Sequence, residues 1–78
     1  MIPGLYDDVR VTDPLFKEGL RYLESKEYHK AIKCFDKAIE IDPKNAVVLN
    51  DKGTALLDLK EYSEAIECFD KAIEFEKG

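Results

Sequence analysis

A ten-residue string occurs twice in this 78-residue chain. Ala31-Ile32-Lys33-Cys34-Phe35-Asp36-Lys37-Ala38-Ile39-Glu40 returns thirty-four residues later as Ala65-Ile66-Glu67-Cys68-Phe69-Asp70-Lys71-Ala72-Ile73-Glu74. At the same offset Leu15 matches Leu49, Gly19 matches Gly53, Leu23 matches Leu57, and Lys26-Glu27-Tyr28 matches Lys60-Glu61-Tyr62. A fixed period of roughly 20–50 residues means stacked copies of one supersecondary unit, each unable to bury its apolar face alone. Whatever local structure the first copy adopts, the second must adopt too, so the chain is read as an N-terminal arm over 1–11, a first repeat over 12–45 and a second over 46–78.

Apolar spacing divides each copy into two helical stretches. Ala31, Phe35 and Ala38, like Ala65, Phe69 and Ala72, recur at the i, i+4, i+7 spacing that places them on one helical face. Leu15, Gly19 and Tyr22, then Leu49, Gly53 and Leu56, do the same in the first stretch of each copy. The two faces must pack together. The small residues Gly19, Gly53, Ala31, Ala38, Ala65 and Ala72 let the axes approach, and Phe35 or Phe69 fills the space beside them. Asp13-Pro14 reads as an N-cap followed by proline at the first helical position. Asp42-Pro43 stops the second helix and Asn45 can cap the third. The expected helices run at about 14–25, 29–41, 46–59 and 63–76.

Composition narrows the function classes. A net charge of −5, with Lys and Arg interspersed among acids, repels a phosphate backbone and argues against nucleic acid. No apolar run approaches the ~20 residues that span a bilayer, and Met1-Ile2-Pro3-Gly4-Leu5-Tyr6-Asp7-Asp8 lacks the basic start and apolar core of a signal peptide. No membrane partner is expected, and the location expected is the cytoplasm. Cys34 and Cys68 have no ligand-spaced Cys or His nearby, so they read as buried or half-buried reduced thiols. Equivalent residues of stacked helices lie about 8–10 Å apart, beyond the ~7 Å limit between the Cα atoms of a disulfide.

The pattern Leu15, Gly19, Tyr22, Tyr28, Ala31, Phe35, Ala38 and Pro43 resembles the signature of the tetratricopeptide repeat family. Leu49, Gly53, Tyr62, Ala65, Phe69 and Ala72 repeat it, with Leu56 where an aromatic is common. The resemblance covers Thr12 to Gly78 and implies an all-α fold, two helix-turn-helix repeats stacked as a short right-handed α-solenoid. Departures are also visible. Glu18 and Lys52 occupy a site that is often apolar in the family, and Lys26 and Lys60 stand where many members have Gly between the paired helices. If that turn is left-handed, each lysine costs about 1 kcal/mol.

The chain carries no Gly-rich phosphate loop, His-Glu-x-x-His, Cys-x-x-Cys or EF-hand spacing, and the single histidine, His29, has no catalytic company. Asp36, Glu40, Asp70 and Glu74 are spaced by four, as metal ligands can be. Lys33, Lys37 and Lys71 lie among them, and a solvated charged face is the better reading. No catalytic residue, metal or cofactor is assigned, and the chain is read as a non-enzyme.

What remains is surface for partners. In tetratricopeptide proteins the first helix of each repeat lines a groove that holds peptides, so the resemblance implies a protein-protein interaction module binding a protein segment. The outward positions are Asp13, Phe16, Leu20 and Leu23 in one repeat and Val47, Asn50, Thr54, Leu57 and Asp58 in the other. Phe16, Leu20, Asn50 and Thr54 form the expected peptide groove, unless Leu5, Tyr6, Val9 and Val11 of the arm cover the first two. Some family members grip a terminal carboxylate with Lys and Asn. Here Phe16, Leu20 and Asp51 stand at such positions, so an apolar or basic segment fits better than an acidic tail.

Self-association is also expected. Ile32, Phe35, Ile39 and Ile41 can be partly covered by the helix beginning near Ala46, whereas Ile66, Ile73 and Phe75 form a strip with no helix after it. Removing about 300 Å² of that strip from water is worth on the order of 7 kcal/mol before association costs. A homo-oligomer, a dimer, would cover it. The alternative reading is a structural spacer, one stretch of a longer repeat array with no binding activity of its own.

Overall fold

The computed structural model describes the backbone of residues 3–77 and the side chains of residues 14–77. It contains four helices, α1 (Pro3–Glu24), α2 (Tyr28–Ile41), α3 (Ala46–Asp58) and α4 (Tyr62–Lys77), and no strand among the described residues. Helices α1 and α2 form one hairpin and α3 and α4 the other. The second stacks on the first mainly through α3 against α2, while α3 touches α1 only lightly. This is the all-α stack of two repeated hairpins that the doubled sequence requires.

Seven of the eight helix ends fall within one residue of expectation, and the start of α1 does not. Helix α1 begins at Pro3 and runs through Pro14, so Asp13-Pro14 is not its start. Proline holds φ near the helical value, so a helix can continue through it, but it forfeits one hydrogen bond and crowds one carbonyl at a cost of about 3 kcal/mol. The dipeptide Asp-Pro is therefore compatible with a cap or with an interior proline. The side chains of Leu5, Tyr6, Val9 and Val11, expected as a cover for Phe16 and Leu20, lie outside the described residues, as does that of Asp13.

Each hairpin closes through a left-handed lysine. Lys26 has φ 64° and Lys60 φ 66°. The Lys26 N–H donates to the Leu23 carbonyl at 3.1 Å and the Glu27 N–H to the Tyr22 carbonyl at 2.8 Å. The second turn repeats this with Lys60 to Leu57 and Glu61 to Leu56, both at 2.9 Å. The paired bonds satisfy carbonyls that a helix end leaves open, which is the Schellman closure. At the inter-repeat turn, Asn45 caps α3: its Oδ1 accepts from the N–H groups of Val47 at 3.1 Å and Val48 at 3.2 Å.

The core follows the small-large pattern of the repeat. Ala31, Phe35, Ala38 and Val48 form a fully buried cluster, with Leu15, Phe16, Leu20, Tyr22, Leu23 and Ile39 half-buried around it. A methyl group added at Gly19 would stand 2.5 Å from Cε1 of Phe35, and one at Gly53 would stand 2.7 Å from Cε1 of Phe69. The two glycines are thus where helix backbone and aromatic ring meet directly. A second cluster of Leu56, Ala65 and Cys68 receives Ile32 from the first repeat and Phe69 from the second. Ile32 therefore ties one hairpin to the next.

Candidate interaction site

The α3 side of the expected groove is open. Val47 is 57% exposed and Leu57 46% exposed, and Asn50 is exposed on the same face. The spacing of Val47, Asn50, Thr54 and Leu57 keeps them in one row along the helix. Half-buried Thr54 bonds back to its own helix, its hydroxyl donating to the Asn50 carbonyl oxygen at 3.1 Å. It offers a partner a methyl group more readily than a free hydroxyl.

On α1, Phe16 and Leu20 are half-buried against the first core cluster. The Phe16 ring lies 6.2 Å from that of Phe35 at an interplanar angle of 46°, a tilted aromatic contact that holds it to the core. These two side chains serve packing and surface together, so the freely presented apolar groups of this face are Val47 and Leu57. Their repeat-equivalents, Asp13 and Leu23, gave no such signal because one is charged and the other leans on the core.

Two departures from the family pattern turn out to be partners across helices. Lys52 Nζ sits 2.6 Å from Asp36 Oδ1, bridging α3 to α2. Burial works to lower the Lys52 pKa, but the hydrogen bond and charge of Asp36 outweigh it and hold the ammonium above its ordinary value. Glu18 Oε1 accepts from the Cys34 thiol at 3.7 Å. Asp36 thus belongs to an inter-repeat ion pair more than to a solvated face, which the spacing along α2 alone did not reveal. Asp51, at the position where an amide would help hold a carboxylate, is partly buried, and that burial pushes its carboxyl pKa up.

Cys34 and Cys68 are buried free thiols. Burial raises the pKa of both, with Glu18 adding to the effect at Cys34, so both disfavour the reactive thiolate. His29 is exposed. Among the described residues no group of His, Cys, Asp and Glu is arranged to hold a metal ion, and no helix is long and apolar enough to cross a membrane.

The open side of the second hairpin forms a depression between α3 and α4, lined by Ala46, Val47, Asn50, Phe69, Ala72, Ile73 and Glu76. Ile66 is 58% exposed and Ile73 52% exposed. Phe75, expected to be as open as these two, is half-buried. Its equivalent Ile41 is exposed although a helix follows it, so this position does not face the neighbouring repeat. The strip reduces to Ile66 and Ile73.

Comparison with known proteins gives concordant results. Protein STIP1 homolog of Dictyostelium discoideum is 41% identical over 39 residues, 50% of this chain and 7% of that protein. Small glutamine-rich tetratricopeptide repeat-containing protein beta of Homo sapiens is 37% identical over 49 residues, 63% of this chain and 16% of that protein. The chain spans less than a fifth of the length of either relative. The solved structure described as the first TPR of Spaghetti (RPAP3) bound to HSP90 peptide SRMEEVD superposes with a TM-score of 0.84 at 25% identity, over 87% of this chain and 55% of that one. Residues 13–45 and 46–77 each match the tetratricopeptide repeat, and with the hairpins stacked as described, the chain belongs to the tetratricopeptide repeat family.

Proposed function

We propose that this chain is a protein-interaction module that holds a segment of another protein along the α1/α3 face and also associates with a second copy of itself through α4. The observation that carries the first part is the row of Val47, Asn50 and Leu57, exposed along α3, with half-buried Phe16 and Leu20 on α1, the equivalent helix of the first repeat. A structural neighbour holding a peptide supports a peptide as the class of ligand. The ligand chemistry differs from an acidic tail. Phe16, Leu20 and Asp51 supply no cation where a terminal carboxylate would sit, and the net charge of −5 favours an apolar or basic segment. Within this reading Phe16, Leu20, Asn50 and Thr54 remain the groove residues, joined by Val47 and Leu57. Repeats over 12–45 and 46–78 supply the two walls.

Fluorescence anisotropy tests it with two labelled probes, an amphipathic Leu/Lys peptide and the peptide SRMEEVD. The Leu/Lys peptide is expected to bind, and Asn50→Ala with Leu57→Ala to weaken it about fivefold or more. Equal binding by the variant, or preference for SRMEEVD, overturns the groove reading. The second part predicts a solution mass that rises with concentration and an Ile73→Lys variant that stays monomeric. A parent chain that stays monomeric to about millimolar overturns the second part, and only failure of the peptide to bind as well favours the spacer reading.

A further inference from the structure

The first repeat displays what the second repeat's open groove accepts. Val48 of α3 is 1% exposed, set in the cluster of Ala31, Phe35 and Ala38 with Ile39 beside it. Four residues on, Lys52 pairs with Asp36 at 2.6 Å. Only residues 42–45 join α2 to α3, so the docked helix runs antiparallel to its seat. Thirty-four residues later the same seat recurs on α4 as Ala65, Phe69, Ala72 and Ile73, with Asp70 in place of Asp36. There Ile73 and Asp70 are exposed and Phe69 is half-buried. An occupant built like α3 needs an aliphatic residue followed four positions later by a cation.

Helix α4 carries that pair itself. Ile73 and Lys77 are four apart, both exposed, and share a face with Ile66 and Asp70. We propose that two copies of this chain associate through an antiparallel two-fold contact of α4 with α4, in which Ile73 of each enters the seat of the other and Lys77 of each pairs with Asp70 of the other. The inference rests on the self-association reading and adds its register. It copies the spacing already present inside the chain: Val48 sits in the cluster of Ala31, Phe35 and Ala38 while Lys52 pairs with Asp36, as Ile73 would sit among Ala65, Phe69 and Ala72 of the other copy while Lys77 pairs with Asp70. A two-fold axis makes every contact occur twice and closes the assembly at two copies. The two crossed ion pairs also offset the repulsion between chains of net charge −5. One helix face from each copy buries less than the ~1,000 Å² of a stable interface, so the dimer is weak and depends on concentration.

Sedimentation equilibrium at low salt, from about 10 μM to about 1 mM chain, tests the register, with circular dichroism to verify that each variant is helical. The parent chain is expected to dimerise over this range. Lys77→Asp and Asp70→Lys, each placing like charges together twice, should raise the dissociation constant about tenfold, and the double variant should return it to within about threefold of the parent. Lys71→Asp makes the same charge change on the opposite side of α4 and should leave it within about threefold. A monomeric parent overturns both the self-association reading and this register. A dimer indifferent to the single inversions, not restored by the double variant, or weakened equally by Lys71→Asp overturns the register alone.

Discussion

At the scale of single residues, the informative positions are those where this sequence departs from what its backbone prefers. Lys26 and Lys60 hold φ values of 64° and 66°, a region that an L side chain enters only against steric resistance. Both turns nonetheless form, because each supplies two hydrogen bonds to carbonyls at the end of the preceding helix. Replacing Lys26 or Lys60 by glycine should keep those bonds and relieve the strain. The greater freedom of glycine in the unfolded chain subtracts part of the gain. Each substitution is expected to stabilise the chain by about 0.5–1 kcal/mol, read as a higher midpoint in urea at unchanged slope. A lower midpoint would show that the lysine stems cover more apolar surface than the strain costs. The sequence foretold the site of this strain from the family pattern, whereas its presence depended on the handedness of the turn.

At the scale of elements, each hairpin is organised by a glycine under a phenylalanine, yet the two pairs are not equally constrained. Phe35 is fully buried, with Val48 in the same cluster, so a methyl group at Gly19 meets a ring that has nowhere to go. Phe69 is half-buried and borders the open depression beside α4, so it can swing away from a methyl group at Gly53. Alanine improves helix propensity by about 1 kcal/mol at both positions, and overpacking opposes it by about 1–3 kcal/mol. Gly19→Ala is therefore expected to destabilise by about 2 kcal/mol and Gly53→Ala by about 1 kcal/mol or less, measured as urea midpoints in one buffer. Equal losses would mean that Phe69 is held as firmly as Phe35.

For the whole molecule, the stack makes equivalent residues unequal. Ile32 and Ile66 occupy the same place in the ten-residue string, but Ile32 packs on Leu56, Ala65 and Cys68 of the next hairpin while Ile66 stands 58% exposed. In a solenoid, stability is the sum of each unit and the contact to its neighbour, and Ile32 belongs to that contact. Ile32→Ala is expected to cost about 1–3 kcal/mol, and Ile66→Ala less than about 0.5 kcal/mol, when thermal unfolding is followed at low micromolar concentration where copies stay apart. If the two variants melt together, the hairpins are not coupled through this face.

The doubled string, the small-large spacing and the turn residues were enough to determine four helices, their pairing and the burial of Ala31, Phe35, Ala65 and Ala72, because these depend on local periodicity and on one hairpin repeating the other. Asn45 was legible as a cap for the same reason, since a cap acts within three residues of itself. Helix α1 passing through Pro14 was not legible, because proline suits the first turn and is penalised in the interior, so local preference points to a start at that position. The pairing of Lys52 with Asp36 and the separation of Ile66 and Ile73 from half-buried Phe75 were decided only by the tertiary structure. Each depends on how one helix face is rotated against the next. A repeat of thirty-four residues specifies that the hairpins stack, but the side chains that meet are selected by packing across the interface, where residues distant in sequence share one space.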